Sequence, residues 1–293
     1  MRLALGRRSV EVAQGAPLVM GIVNATPDSF SDRQGPKDTG ELADRAFALV
    51  DAGAHIIDVG GESGRTDREA VSEQEEAERI VPLVRRLADA GVAVSVDTWR
   101  AGPAEAALAA GAAMLNDVSG LSEPALASMC AQAGAALVIT HTRGAPKTKV
   151  FPDYHDVVRD VAVLLEERVA AALGAGVGEG ALVLDPGFDL AKTPAESIQV
   201  LRRLPELYAL GRPLLLAVSR KDFVGAVTGR RPADRDAGTL GAIEPALDAP
   251  AALLRVHDVA GAVDFIAVRR ALRGLSGPSE GALAEELRRE PAG

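Results

Sequence analysis

Polar side chains able to bind a ligand or take part in catalysis follow short apolar runs along this chain. The set comprises Asn24, Asp58, Asp97, Asn116, Asp117, His141, Asp185, Ser219, Arg255 and His257. Three members, Asp97, Asn116 and Asp185, stand in the segments SVDT, LNDV and LDPG. A carboxylate accepts two parallel N–H bonds, and a carboxamide both donates and accepts. This combination suits the 2-amino-4-oxo edge of a pterin or guanine ring, but the same oxygens also suit Mg²⁺ or Ca²⁺, and spacing does not separate the two.

Basic residues follow the last two apolar runs, as Ser219-Arg220-Lys221 and Arg255-Val256-His257-Asp258. Arginine, histidine and lysine together suit a diphosphate group. Structural alternatives stay open here. The arginine of the second segment could pair with the aspartate of the same segment, and Ser219 or Asp117 alone could be a helix cap or turn former.

The lysines are few and unevenly placed. They are Lys37, Lys147, Lys149, Lys192 and Lys221. All of them fall in intervals expected to run from a strand to a helix, whereas the other exposed intervals use arginine. We expect a cationic rim that attracts an anionic substrate to an otherwise acidic protein. The alternative is that lysine is simply common in exposed loops.

Eight alternations of short apolar runs with helically spaced stretches predict the elements that position these residues. The predicted strands are Val19 to Asn24, Ile56 to Gly60, Val92 to Thr98, Ala113 to Val118, Leu137 to His141, Leu182 to Asp185, Leu214 to Ser219 and Leu253 to His257. A long amphipathic helix is predicted over Tyr154 to Leu173. We expect an α/β fold, a (β/α)8 TIM barrel, with its active site at the carboxyl ends of the strands. A doubly wound open sheet is the alternative, but no GxGxxG segment follows the first strand.

The length of 293 residues fits one barrel domain. We assign residues 1–275 to the barrel and expect residues 276–293, polar and containing Pro and Gly, to form a flexible tail. The net charge of -9, two tyrosines and one tryptophan argue against a nucleic-acid surface. The single cysteine, Cys130, excludes an intrachain disulfide and a multi-thiolate zinc site. No apolar run is long enough for a membrane span, and the first 15 residues lack a secretory h-region, so we expect a cytoplasmic protein that acts on small molecules.

The motifs together resemble those of dihydropteroate synthases. They are MGIVNATPDSFSD (20–32), IIDVGGES (56–63), SVDT, NDV, the HxRGxP of 141–146, LDPG, SRK and RVHD. They occur in the order and spacing of that family across roughly residues 15 to 272. The resemblance implies a transferase of folate biosynthesis, which condenses 6-hydroxymethyl-7,8-dihydropterin diphosphate with p-aminobenzoate to give 7,8-dihydropteroate and diphosphate.

The resemblance also implies roles for individual residues, with Lys221, Arg255, His257 and Asp97 as the catalytic group. Asp97, Asn116, Asp185 and Lys221 would hold the pterin, and Arg255 would stack on its ring. Asn24, Arg255 and His257 would hold the diphosphate, with Asn24 near the Mg²⁺ cofactor of the family. The family pattern further implies a homodimer.

Two departures from the family pattern fall in the predicted pocket for the second substrate. That pocket would be formed by Phe30, Gly64, Arg65, Thr66, Leu190 and Ser219. After GGES the family continues Thr-Arg-Pro-Gly, whereas this chain reads 64–68 as GRTDR. In the sixth loop a family glycine is replaced by Asp189 and a family aromatic by Leu190. Such changes are compatible with an ordinary synthase, and also with a paralogue that takes a different second substrate or has lost catalysis.

Two rival functions follow from the same pterin-binding residues. A methyltetrahydrofolate corrinoid methyltransferase is a related barrel that also binds a pterin, but its reaction does not require a diphosphate site. A pterin-binding protein without catalysis would have no need to keep Lys221, Arg255 and His257. The segments TPDSFSD, SRK and RVHD favour the synthase over both rivals.

Overall fold

A computed structural model describes residues 1–26, 39–62, 70–277 and 287–288 of the chain. Its centre is a closed barrel of eight parallel strands, in which β10 pairs with β3 to complete the ring. The barrel strands are β3 Leu18–Asn24, β4 Ile56–Gly60, β5 Val94–Asp97, β6 Met114–Asp117, β7 Ala136–Thr140, β8 Leu182–Asp185, β9 Leu214–Leu216 and β10 Ala252–Val256. The predicted (β/α)8 barrel is confirmed, and the open doubly wound sheet is wrong.

Helices follow each barrel strand and surround the barrel. They are α1 Thr39–Asp51, α2 Glu73–Asp89, α3 Ala101–Ala109, α4 Ala125–Ala133, α5 Val157–Gly174, α6 Pro194–Arg202, α7 Asp222–Thr228, α8 Asp236–Ile243 and α9 Val259–Leu272. The predicted helix over Tyr154 to Leu173 is confirmed as α5, but it begins later. Asp156 caps it, because its side chain accepts hydrogen bonds from the amides of Val158 and Arg159.

The barrel strands separate two apolar layers. Their outward residues, such as Val96, Leu115 and Leu184, pack against the helices in one continuous core. Their inward residues near the strand starts, such as Met20 and Met114, form a second core inside the barrel. Because both faces of every strand are covered, the strands read as almost continuous apolar runs.

A short hairpin that the sequence analysis missed closes the amino-terminal end of the barrel. Its strands are β1 Arg2–Leu5 and β2 Arg8–Glu11, paired antiparallel. The buried side chains of Leu3 and Leu5 pack in the inner core. Because this hairpin covers the amino-terminal end, the carboxyl end of the barrel is the end open to ligands.

Several boundaries differ from the predicted ones by a few residues. β5 begins at Val94 rather than Val92, and β9 ends at Leu216 rather than Ser219. Within the described part of the chain, no helix combines the length and apolar character needed to cross a membrane.

Candidate active site

The strand register brings the predicted pterin-binding residues to one end of the barrel. Asp97 and Asn116 are the partnered residues of β5 and β6, and Asp185 on β8 lies opposite Thr140 on β7. These residues occupy the last or next-to-last positions of their strands, so they lie at the carboxyl end. The fold therefore gathers these side chains where barrel enzymes bind their substrates.

Arg255 connects this group electrostatically. Its Nε lies 2.6 Å from Asp58 Oδ2, and its Nη2 lies 2.9 Å from Asp97 Oδ2. Asn116 Nδ2 donates to the same Asp58 oxygen at 3.2 Å. One guanidinium therefore connects β10 with β4 and β5, since a planar donor fork can serve two carboxylates at once.

Asp58 is the principal residue of this cluster that the predicted site omitted. It is fully buried, and its Oδ1 has no hydrogen-bond partner among the described residues. The available signal was a single carboxylate in IIDVGGES, in the middle of a strand that is otherwise apolar. A lone buried carboxylate needs a cation, and Arg255 supplies it.

Asp97 has an unusual ionisation equilibrium. The pKa of Asp97 is raised to about 7, mainly by burial and also by the nearby Asp58 carboxylate, while Arg255 and Lys221 act in the lowering direction. A ligand that donates N–H groups to this carboxylate favours the ionised form.

Asp185 ends β8 and shapes the turn that follows. Its Oδ1 accepts the Gly187 amide at 2.7 Å. Burial raises the pKa of Asp185, whereas this hydrogen bond and the Lys221, Lys192 and Arg255 charges lower it. Gly187 has a positive φ of 71°, and a Cβ there would lie 1.9 Å from the His141 carbonyl oxygen, so a side chain cannot be accommodated.

Lys221 immediately precedes α7 on the loop after β9. Its ammonium lies close enough to Asp97 and Asp185 to lower the pKa of both carboxyl groups. The preceding residue, Arg220, has a positive φ of 59° and is held by two hydrogen bonds to Asp236, at 2.7 and 2.8 Å. The turn is therefore fixed by the ionic contact between Arg220 and Asp236.

His257 and Ser219 form a pair at the ends of neighbouring segments. Ser219 Oγ accepts the His257 amide at 3.2 Å and lies 2.9 Å from its Nδ1. A hydroxyl donating to Nδ1 leaves the imidazole proton on Nε2, as a donor for an anion. Burial, together with Arg220 and Arg255, lowers the pKa of His257 to about 4. Ser219 thus contacts His257, which is predicted to bind the diphosphate, although the sequence analysis assigned Ser219 to the second-substrate pocket.

The expected cationic rim is only partly present, because Lys192 is buried rather than exposed. Its Nζ lies 2.7 Å from His141 Nδ1 and donates to the carbonyls of Gly187 and Leu190 at 3.0 and 3.2 Å. His141 Nε2 in turn lies 2.8 Å from Asp160 Oδ1. Burial lowers the pKa of Lys192 to about 7 and that of His141 to about 4. Lys192 therefore organises the sixth loop from within.

Two structural alternatives from the sequence are decided by contacts. Asp258 is not the partner of Arg255: its carboxylate caps α9 by accepting the Gly261 amide at 3.0 Å. Asp117 is a turn former, since its oxygens accept the amides of Ser119 and Leu121 at 2.8 and 2.7 Å.

The remaining predicted site residues are unevenly covered by the structure. Phe30, Gly64, Arg65 and Thr66 lie outside the described residues, as do Lys37 and Asp67. Leu190 is partly exposed on the sixth loop, where its amide donates to the Gly187 carbonyl at 3.1 Å.

Asn24, at the end of β3, offers one amide oxygen for a metal ion. This oxygen lies close to β4, 3.4 Å from the position a Cβ on Gly60 would take. Within residues 1–26, 39–62, 70–277 and 287–288, no group of three or more His, Cys, Asp or Glu residues could hold a metal. Mg²⁺ commonly keeps several waters and binds through one or two protein oxygens plus substrate phosphates, and the single amide fits that mode.

Comparison with known proteins gives a consistent result. The sequence model of a family described as "Pterin binding enzyme" matches residues 20–257. The dihydropteroate synthase of Bacillus subtilis is 41% identical over 244 residues, which cover 83% of this chain and 84% of that protein. A Haloferax volcanii protein named as a probable bifunctional folylpolyglutamate synthase/dihydropteroate synthase is 42% identical over 259 residues. That match covers 87% of this chain but only 30% of the longer protein.

A solved structure of Xanthomonas albilineans dihydropteroate synthase in complex with 7,8-dihydropteroate superposes with a TM-score of 0.84. The two sequences are 38% identical, and the match covers 94% of this chain and 100% of that one. These similarities extend over the whole barrel, including every strand end described above. The chain therefore belongs to the pterin binding enzymes and, within them, to the dihydropteroate synthase family.

Proposed function

We propose that this protein is a transferase of folate biosynthesis that condenses 6-hydroxymethyl-7,8-dihydropterin diphosphate with p-aminobenzoate. The products are 7,8-dihydropteroate and diphosphate. The observation that carries the proposal is the convergence of Asp58, Asp97 and Asn116 with Arg255 at the carboxyl end of the barrel. The Xanthomonas albilineans relative, which was solved with 7,8-dihydropteroate, supports the same product.

In this proposal the ring of the first substrate is held by acidic and amide groups. Asp97, Asn116 and Asp185 receive or exchange hydrogen bonds with its amino, N–H and carbonyl groups. Lys221 binds beside them, and the guanidinium of Arg255 stacks on the ring face. The same arrangement disfavours a multi-carboxylate metal cluster at these residues, since Arg255 already bridges two of the carboxylates.

The diphosphate is assigned to Asn24, Arg255 and His257. As the arylamine nitrogen bonds to the pterin methylene carbon, the bond from that carbon to the diphosphate oxygen breaks. Negative charge grows on the leaving group, and the amine loses a proton. Arg255 and the Nε2–H of His257 stabilise that charge, an electrostatic contribution of typically several kcal/mol. A bound Mg²⁺ near Asn24 would supply additional charge neutralisation.

Catalysis does not require a strong base or a covalent nucleophile. The arylamine is nucleophilic as the neutral base, and the pterin delocalises the positive charge that develops on carbon. The carboxylates of Asp97 and Asp185 favour that charge. We assign Lys221, Arg255, His257 and Asp97 as the catalytic group.

The second substrate is assigned to the loops that carry Phe30, Gly64, Arg65, Thr66 and Leu190, with Ser219 at the edge of that pocket. Steady-state kinetics with p-aminobenzoate distinguishes an ordinary synthase from a paralogue with another amine. A kcat/KM above roughly 10⁴ M⁻¹ s⁻¹ indicates that p-aminobenzoate is the physiological acceptor. A value far below this, with faster diphosphate release on another arylamine, indicates the paralogue.

The direct test combines the purified protein, pterin diphosphate, Mg²⁺ and p-aminobenzoate, with 7,8-dihydropteroate detected by mass spectrometry and diphosphate by a coupled assay. We expect equimolar formation of both products. Release of diphosphate without the condensed product, or no turnover with any arylamine, contradicts the proposal. The second outcome leaves a pterin-binding protein without catalysis.

Several broader assignments belong to the same proposal. We expect a homodimer, as the family resemblance implies, and the neighbouring α9 residues Val268 and Leu272 offer an apolar surface, being 60% and 73% exposed. Light scattering of the parent and of a Val268→Glu/Leu272→Glu variant tests this surface. We also expect a cytoplasmic location and a single barrel domain over residues 1–275. The tail predicted for residues 276–293 lies mostly outside the described residues.

A further inference from the structure

The most distinctive residue of the sixth loop is Asp189, which stands where the family pattern has glycine. Its backbone has a positive φ of 60°, in the left-handed region that glycine adopts freely. Aspartate is among the few other residues that enter this region, because its short side chain can bond locally. This position therefore combines a backbone conformation that glycine adopts freely with a carboxylate.

Both oxygens of this carboxylate are engaged. Asp189 Oδ1 accepts the Ser197 hydroxyl at 3.0 Å, and the same hydroxyl oxygen accepts the Asp189 amide at 3.0 Å. Ser197 lies on α6 and is fully buried, so it fixes the orientation of the carboxylate. Asp189 Oδ2 accepts a hydrogen bond from the backbone amide of Asp222.

The hydrogen bond from the Asp222 amide to Asp189 affects the position of Lys221, because Asp222 directly follows Lys221 in the chain. The contact joins the loop after β8 to the turn that presents the lysine to Asp97 and Asp185. The same two segments also pack through Phe188 and Phe223, whose ring centroids are 6.3 Å apart. The carboxylate is therefore directed to the neighbouring turn, and its charge is used in a hydrogen bond with a backbone amide.

We infer that Asp189 is a positioning residue for Lys221, linking the second-substrate loop to the turn that carries the pterin-binding lysine. The inference rests on the proposed function, since Lys221 acts only if the pterin site is used. Leu190, on the same loop, is fixed at its carbonyl by Lys192. The loop is thus held on one side by Lys192 and on the other by Asp189.

Three variants separate this role from a purely conformational one. Asp189→Gly restores the family residue and relieves the backbone but removes the acceptor. Asp189→Asn keeps an oxygen for the Asp222 amide and turns its NH2 group to Ser197 Oγ. Ser197→Ala removes the group that orients the carboxylate without replacing any residue of the Lys221 turn.

Two readouts decide the inference. Hydrogen exchange of the peptide containing Asp222 should be at least tenfold faster in Asp189→Gly than in the parent, with Asp189→Asn close to the parent. Calorimetry with pterin diphosphate should show at least fivefold weaker binding for Asp189→Gly, about twofold weaker or less for Asp189→Asn, and an intermediate loss for Ser197→Ala. In a Lys221→Met background, Asp189→Gly should weaken binding no further.

Failure of the Asp189 inference can be distinguished from failure of the proposed reaction. Unchanged exchange in Asp189→Gly overturns the link itself, and faster exchange with parental affinity for pterin diphosphate overturns the positioning role. Thermal melting of each variant confirms that it is folded before either result is used. A parent protein that binds pterin diphosphate but forms no dihydropteroate contradicts the proposed reaction and leaves the Asp189 result standing.

Discussion

Arg255 Nε lies 2.6 Å from Asp58 Oδ2, and this pairing places a full positive charge against a carboxylate with no exposure to solvent. Replacing Arg255 with Ala leaves the buried Asp58 carboxylate without its cation and with the Asn116 amide as a neutral donor. Breaking one partner of a buried ion pair costs about 3 to 5 kcal/mol of unfolding free energy. Urea denaturation of Arg255→Ala should show a loss of that size.

A matched exposed arginine supplies the control. Arg231 has an 89% exposed side chain and a single ion pair to Asp234 at 3.4 Å. Its replacement by Ala should change the unfolding free energy by less than about 1 kcal/mol. Equal losses in the two variants would contradict the structural role assigned to the Arg255 pair.

The stability of the protein should fall in mild acid because of His257. Its pKa is lowered to about 4 in the folded protein, whereas the unfolded chain takes up the proton near its ordinary value of about 6.5. Acid therefore favours the unfolded state between those values, by at most about 3 kcal/mol. His257→Gln should lose less unfolding free energy than the parent between pH 6.5 and pH 4.

Chemical denaturation across that pH range gives the measurement, with His155→Gln as control, since His155 is exposed on the loop before α5. The control should follow the parent curve. A His257→Gln curve parallel to the parent curve would show that His257 is not buried in its neutral form.

We expect Asp117 to have a structural role, in contrast to Asp185, whose carboxylate is proposed to bind the pterin. Asp117→Asn removes one of two acceptors for the turn amides of Ser119 and Leu121. Leaving one buried donor unsatisfied costs about 1 to 3 kcal/mol. We expect that loss of stability in denaturation and pterin affinity within twofold of the parent by calorimetry. A tenfold or greater loss of pterin affinity in Asp117→Asn would assign this residue to the ligand.

The strands could be predicted from sequence because strands buried on both faces form continuous apolar runs, as in β8 and β10. The hairpin β1–β2 was missed because its strands, RLAL and RSVE, mix exposed and buried residues and form no continuous apolar run. The carboxyl-end location of Asp97, Asn116 and Asp185 followed from strand polarity alone.

Side-chain partners were much less predictable than strand positions. Arg255 pairs with Asp58 and Asp97, which lie on strands that are not its neighbours, rather than with its sequence neighbour Asp258. Closure of the barrel brings these side chains together across its interior. Lys192 is buried because the sixth loop folds back over its ammonium. These contacts depend on the three-dimensional course of the chain, which the periodicity of apolar residues does not predict.

The central claim is that acidic and amide groups hold a pterin ring beside separate donors for its diphosphate. Calorimetry should compare pterin diphosphate with the same pterin lacking the diphosphate, in the parent, Asp185→Asn and His257→Gln. Asp185→Asn should weaken both ligands by about 10- to 100-fold, corresponding to a lost hydrogen bond to a charged group. His257→Gln should weaken only the diphosphate ligand; equal effects of His257→Gln on both ligands, or no effect of Asp185→Asn on either, would contradict the account.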